Sequence, residues 1–109
     1  MNYEYEKYIC SPDKVKEWVN IFGVAIVKDV LDRDEIKDMR DGMWSYLENT
    51  SQKFEKPIKK DDPSSWVEYQ KLYPKHSMLL QQYQVGHHQF AWNIRQNPKV
   101  VDIYSKIWS

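Results

Sequence analysis

Apolar residues recur at intervals of three and four near the start of the chain, which is the spacing of one helix face. They are Val15, Trp18, Val19 and Phe22. A Ser-Pro-Asp sequence precedes them at residues 11–13, and a capping hydroxyl, a first-turn proline and an acid are typical of a helix start. Gly23 follows the stripe and predicts the end of this helix, because glycine readily adopts the left-handed C-terminal conformation.

The next four residues, 24–27, are aliphatic at both odd and even positions. That pattern predicts a short strand buried on both faces. A lone strand would leave backbone donors and acceptors unpaired, and no second stretch has comparable strand character. We therefore expect the strand to pair with residues 56–60 or 79–83, or with partners beyond Ser109 or on another chain.

A second helix is predicted to begin at Asp32, because an acid at the cap followed three residues later by Glu35 forms a capping box. Its inner face consists of residues at helical spacing: Ile36, Met39, Met43 and Leu47. The helix is expected to reach about Glu48. Residues 49–63 have no apolar period and are rich in lysine and aspartate, which predicts a solvated loop.

The remaining elements are shorter. Ser64 and Ser65 are candidate caps of a short helix that contains Trp66, Tyr69 and Leu72 and ends at Pro74. Residues 78–85 are ambiguous and partly extended, and residues 88–96 form a helical turn or two. Asn97 and Pro98 repeat the cap-and-proline signal of a helix start, and Val101, Tyr104 and Trp108, with Ile107, form the stripe of the last helix.

Together these elements predict a mainly helical α+β protein with about four helices around one short buried strand. The 109 residues form a single domain or the N-terminal part of a larger domain. The expected core comprises the apolar stripes of the long helices: Trp18, Phe22, Ile36, Met39, Met43, Leu47, Val101, Tyr104 and Trp108.

Composition narrows the classes of function. Sixteen basic and sixteen acidic residues cancel, so we expect no nucleic acid or anionic membrane as partner. Aromatic residues reach 15%, which excludes disorder and suggests that some rings lie on a surface that binds another protein. Cys10 is the single cysteine, so a reducing, cytoplasmic (or intracellular viral) location is expected. No apolar run is long enough to span a membrane.

Two blocks of sequence resemble the phytanoyl-CoA dioxygenase-like family. Residues 23–36, GVAIVKDVLDRDEI, are similar to its opening, where a glycine and an aliphatic strand lead into a long helix. Residues 95–109, RQNPKVVDIYSKIWS, are similar to the helix that precedes its barrel. With the helix before the strand, the resemblance covers about residues 14–48 and 90–108.

The resemblance implies the N-terminal part of a double-stranded β-helix oxygenase. The family uses Fe(II) and 2-oxoglutarate, and holds iron through His-x-Asp and a distant histidine. In this chain His76, His87 and His88 are followed two positions on by Met78, Gln89 and Phe90, so no such motif occurs. We therefore expect no catalytic residue, metal ligand or cofactor in this chain, with Fe(II) and 2-oxoglutarate relevant only where a catalytic half is present elsewhere.

The residues with the densest potential for recognition lie between positions 81 and 98. The candidate wall of a ligand site or interface comprises Gln82, Tyr83, His87, His88, Phe90, Trp92 and Arg95. These side chains have three interpretations: a polar wall of a substrate or cosubstrate cleft, ordinary structural or interface groups, or a metal site completed by His76. Adjacent histidines diverge on a helix and on a strand, which argues against the metal.

Two functions remain open at this point. The chain is the N-terminal helical portion of a phytanoyl-CoA dioxygenase-like oxygenase fold, inactive alone and completed by a missing C-terminal half. Alternatively, it is a stand-alone binding or assembly protein, of viral or phage type, that has lost the oxygenase chemistry and binds a protein partner or forms a homo-oligomer.

Overall fold

The computed structural model describes residues 4–73, 79–80 and 82–109. Across these ranges the regular secondary structure is entirely helical. The α-helices are α1, Val15–Phe22; α2, Arg33–Thr50; α3, Gln89–Arg95; and α4, Pro98–Trp108. Shorter 3₁₀ helices lie at Glu6–Tyr8, Pro12–Lys14, Pro63–Lys71 and Val85–His87.

The chain divides into two compact units. Unit 1 comprises Met1–Asp32 and Arg95–Ser109, and unit 2 comprises Arg33–Ile94. Unit 1 therefore brings together two ends of the chain that are far apart in sequence, whereas unit 2 is one continuous segment.

The predicted α+β class is wrong, because residues 24–27 form no strand and the described ranges contain no sheet. Ile26 makes only an isolated parallel bridge with Ile9. The Ile26 N–H donates to the Tyr8 carbonyl at 2.8 Å, and the Cys10 N–H donates to the Ile26 carbonyl at 2.9 Å. The backbone partner of Ile26 is thus the N-terminal segment, which the prediction did not name.

The helix boundaries of unit 1 follow local chemistry. Gly23 has φ of 73° and its N–H donates to the Val19 carbonyl, which confirms it as the end of α1. Asn97 caps α4 as predicted, since its side chain accepts a hydrogen bond from the Lys99 N–H at 2.9 Å. The hydroxyl of Ser11 makes no such bond, so the structure shows the proline and the first-turn acid of the first start signal but not its cap.

The core of unit 2 is a cluster of Tyr46, Leu47, Ile58 and Leu72, all nearly inaccessible to solvent. The segment predicted as a solvated loop thus supplies a core residue, Ile58, while its lysines are exposed. Ser51 stabilises this arrangement, because its buried hydroxyl donates to the Leu47 carbonyl at 2.8 Å and accepts from the Ile58 N–H at 2.9 Å.

Several predicted core residues lie elsewhere. Leu47 is buried as expected, and Trp18, Ile36 and Met39 are half-buried, but the others are exposed: Phe22, Met43, Val101, Tyr104 and Trp108. On α4 the predicted stripe is wrong at three positions, although Ile107 is half-buried as expected. Val101, Tyr104 and Trp108 are 49%, 60% and 83% exposed, while the half-buried positions are Val100, Ile103 and Ile107.

Candidate functional site

Four of the seven wall residues contact one tyrosine of α2, two through backbone carbonyls and two through their rings. Tyr46 is only 2% exposed, and its hydroxyl donates to the Tyr83 carbonyl at 3.0 Å. The Gln82 carbonyl lies 3.4 Å from the same hydroxyl. Burial raises the pKa of the Tyr46 phenol, so the hydroxyl remains a hydrogen-bond donor at neutral pH. The backbone of Gln82 and Tyr83 is therefore held through polar contacts to the core.

His88 and Phe90 also pack on Tyr46. The His88 ring meets the Tyr46 ring edge to face with centroids 4.4 Å apart, and the Phe90 ring lies 6.0 Å away. A Cβ on Gly42 would lie 2.5 Å from the Phe90 Cβ, so α2 and α3 approach closely here. In this arrangement His88 and Phe90 have structural contacts, and neither points freely into solvent.

The other members of the wall are exposed. The side chains of Gln82, Tyr83, His87 and Trp92 reach solvent, and the rings of His87 and Trp92 lie 6.5 Å apart. Arg95 is also exposed, but it belongs to unit 1 while the other six belong to unit 2. His76, which the metal interpretation needs, lies outside the described residues.

The described residues do not fit an iron centre. Among them, no three histidine, cysteine or carboxylate side chains converge in a way that could hold a metal ion.

A different set of side chains lines an open groove of unit 2. Four cations lie on its walls: Arg33, Lys37, Arg40 and Lys60. The first three come from α2 and the fourth from the following loop. Residues 33, 37 and 40 are separated by four and three positions, which places them on one face of the helix. The groove is open and has a volume of about 670 Å³.

One carboxylate lies within this groove. Lys37 donates a hydrogen bond to the Asp41 carboxylate, and the Lys60 ammonium lies 3.4 Å from its second oxygen. These two cations lower the pKa of Asp41, and the Asp41 carboxylate in turn raises the pKa of Lys37. Four cations and one carboxylate leave a local excess of three positive charges, although the whole chain is neutral.

One indole, that of Trp44, also lines the groove. Trp44 lies one turn beyond Arg40 on the same face of α2, and its ring is 5.3 Å from that of Trp66. The Trp66 N–H donates to the Lys59 carbonyl at 3.0 Å, which fixes the orientation of the second ring. The groove therefore combines a cationic wall with one aromatic residue, Trp44, that packs on a second ring.

Unit 1 contains a second groove, of about 360 Å³ and almost entirely apolar. Its walls are α1, the segment that follows Gly23, and α4. The main lining residues are Val15, Val19, Val27, Val100, Ile103 and Ile107. Val15 is the only apolar side chain of unit 1 that is fully buried among the described residues. Unit 1 thus leaves much apolar surface accessible.

Comparison with known protein families, with curated proteins and with solved structures finds no match for this chain. In the described part of the chain, no helix is both long enough and apolar enough to cross a membrane.

The cationic groove escaped prediction from sequence. Its signal was available in the spacing of residues 33, 37, 40 and 44, which share one face of a helix. That signal is weak, because α2 also carries acidic residues at positions 34, 35 and 38, so the helix as a whole has no basic composition. Lys60 joins the site only through the tertiary fold.

Proposed function

We propose that this chain is the N-terminal helical portion of a phytanoyl-CoA dioxygenase-like oxygenase fold, and that it binds protein and performs no chemistry alone. The observation that carries this proposal is which two segments of the chain form unit 1. Residues 14–32 and 95–108, which hold most of both blocks of resemblance, pack as one unit through α1 and α4. Two sequence-distant blocks that resemble one family thus lie together.

The exposed apolar surface of unit 1 supports a binding role. An apolar groove and the exposed stripe of α4 lie on the same unit, and exposed apolar surface of this kind is typical of interaction sites. The partner in this proposal is the catalytic half of the fold, which would supply the iron ligands. A cytoplasmic location belongs to the proposal and is supported by the single Cys10.

Two measurements test the proposal. The transcript should continue beyond codon 109 into a frame with His-x-Asp and a later histidine. The purified chain of 109 residues should form no succinate from 2-oxoglutarate with Fe(II) and ascorbate, and should not bind Fe(II) at micromolar concentration. Turnover by the chain alone would refute the claim that it is inactive. A stop codon directly after Ser109 would refute the claim that a catalytic half follows in the same protein.

The stand-alone assembly protein is the second candidate, and the exposed stripe of α4 favours it. Val101, Tyr104 and Trp108 repeat at the three- and four-residue spacing of a helix–helix seam. In this case light scattering should show an oligomer that Tyr104→Ser dissociates. A monodisperse monomer at high micromolar concentration would argue strongly against it.

A further inference from the structure

The cationic groove of unit 2 has a geometry that neither candidate function requires. Its features are a row of cations on one helix face, one aromatic residue, and a volume suited to a small ligand. Volumes of about 300–1,000 Å³ are typical of small-molecule sites, and the groove lies within this range. We propose that it binds a nucleoside polyphosphate, with the phosphates along α2 and the base against Trp44.

The charges favour a polyanion over a single anion. Arg33 and Arg40 line the groove two turns apart, about 10 Å along the helix axis. Among the described residues, neither arginine has a carboxylate partner, whereas Lys37 and Lys60 share Asp41. A guanidinium group binds phosphate oxygens in a planar, bidentate arrangement, so two unpaired arginines suit a ligand with several phosphates.

The aromatic residue favours a ligand that also contains a flat ring. Trp44 follows Arg40 by one turn, about 6 Å further along the same face. The Trp44 ring packs on the Trp66 ring, whose N–H donates to the Lys59 carbonyl, and a side chain restrained by such contacts loses less conformational entropy when a base stacks on it. The linear order of cations and then ring matches a molecule with phosphates at one end and a base at the other.

Asp41 is the one carboxylate that lines the groove, and Lys37 and Lys60 both pair with it. Asp34 and Asp38 lie on α2 but do not line the groove, and both help to keep Lys37 protonated. The backbone N–H of Lys60 donates to the Glu48 carboxylate at 2.9 Å, so that carboxylate is occupied in holding the loop. The inference uses unit 2 alone and is independent of the oxygenase proposal.

Isothermal titration calorimetry on the full chain tests the inference, with adenosine triphosphate, adenosine and tripolyphosphate as separate probes in low-salt buffer without magnesium. We expect the triphosphate nucleotide to bind at least tenfold more tightly than either fragment. Its affinity should fall as salt is added, because exposed charges are screened. Equal binding of tripolyphosphate and the nucleotide would overturn the role of the ring.

Matched variants locate the binding site. Arg33→Gln and Arg40→Gln should each weaken nucleotide binding roughly ten- to a hundredfold, the range for losing a charged hydrogen bond. Lys53→Gln removes one positive charge from an exposed position outside the groove and should leave the affinity unchanged. Circular dichroism verifies that each variant is folded.

Two results would refute the proposed nucleotide site in the cationic groove. One is the absence of nucleotide binding at millimolar concentration in the original chain. The other is binding that Arg33→Gln and Arg40→Gln leave intact, which would place the nucleotide elsewhere. Trp44→Leu provides a further check on a folded variant, since it should reduce nucleotide affinity to that of tripolyphosphate.

Discussion

Gly42 shows how a single residue sets the distance between two helices. It lies in the middle of α2, where glycine is normally unfavourable, but a Cβ there would be 2.5 Å from the Phe90 Cβ. The atom in the way belongs to the base of a side chain that is attached to α3, so it cannot rotate aside. The close approach of α3 to α2 therefore requires glycine at this position.

We predict that Gly42→Ala destabilises the protein, on the order of 1–3 kcal/mol, because the overlap forces α3 to shift. Helix propensity alone predicts the opposite sign, a gain of about 1 kcal/mol. Ser45→Ala, an exposed position of the same helix, serves as the control and should be neutral or slightly stabilising. Urea unfolding measures both, and a more stable Gly42→Ala would contradict the close approach.

Tyr46 joins the core of unit 2 to the segment that carries the candidate wall. Its hydroxyl holds the Tyr83 carbonyl, and both Tyr83 and Gln84 have positive φ, near 56° and 58°. Non-glycine residues adopt this conformation only at a cost, so outside contacts must maintain it. The tyrosine hydroxyl provides one such contact.

Tyr46→Phe should lower the free energy of unfolding by about 1 kcal/mol, since it removes one buried hydrogen bond and keeps the ring packing. Tyr46→Ala should cost about 3–5 kcal/mol, because a large cavity is also created. Amide chemical shifts of residues 82–84 should change in the Phe variant. If Tyr46→Phe is as stable as the original chain with unchanged shifts, the hydroxyl does not hold this turn.

At the scale of the element, α4 has two apolar stripes, and sequence spacing alone cannot distinguish them. Val100, Ile103 and Ile107 satisfy helical periodicity as well as Val101, Tyr104 and Trp108 do. The second stripe contains larger rings and is therefore the natural choice for a core. The structure places the smaller aliphatic stripe along the groove with α1, where Tyr104 also contributes to the lining although most of its surface is exposed.

Adjacent valines provide a matched test of these two faces. Val100→Ser should destabilise unit 1 by about 1 kcal/mol, since Val100 is half-buried in the groove. Val101→Ser makes the same chemical change at an exposed position and should alter stability by less than about 0.5 kcal/mol. Thermal unfolding followed by circular dichroism distinguishes them, and a larger effect at Val101 would reverse the assignment of the two faces.

The segment after Gly23 shows that an apolar sequence pattern alone does not determine β structure either. Its aliphatic residues have the composition of a buried strand, but Asp29 turns the chain with φ of 56° soon afterwards. The segment between Gly23 and this turn is short, and only Ile26 forms a bridge. The apolar pattern predicted a strand, whereas the structure pairs only Ile26 with the N-terminal segment, so no ladder forms among the described residues.

At the scale of the molecule, the two units differ in how much core they bury. Within the described residues, unit 2 contains Tyr46, Leu47, Ile58 and Leu72 as buried apolar side chains, and unit 1 contains only Val15. Burial of apolar surface is the main stabilising contribution to folding, so the units should differ in local stability.

Hydrogen exchange tests this difference. Backbone amides of α1 and α4 should exchange faster than those of residues 44–50, the part of α2 that carries the core of unit 2. Mass spectrometry of peptides from these regions measures the rates under identical conditions. Equal protection in both regions would show that unit 1 is stabilised by something other than its own core.

Local chemistry sufficed for two of the predicted helix ends, but not for the cap predicted at Ser11. Gly23 ends α1 and Asn97 caps α4 as predicted, because each acts through its own backbone or the nearest N–H groups. The direction of each helix face, the partner of residues 24–27 and the convergence of Lys60 with α2 depended on residues distant in sequence. Those features follow from which surfaces pack together, and packing is a property of the folded chain as a whole.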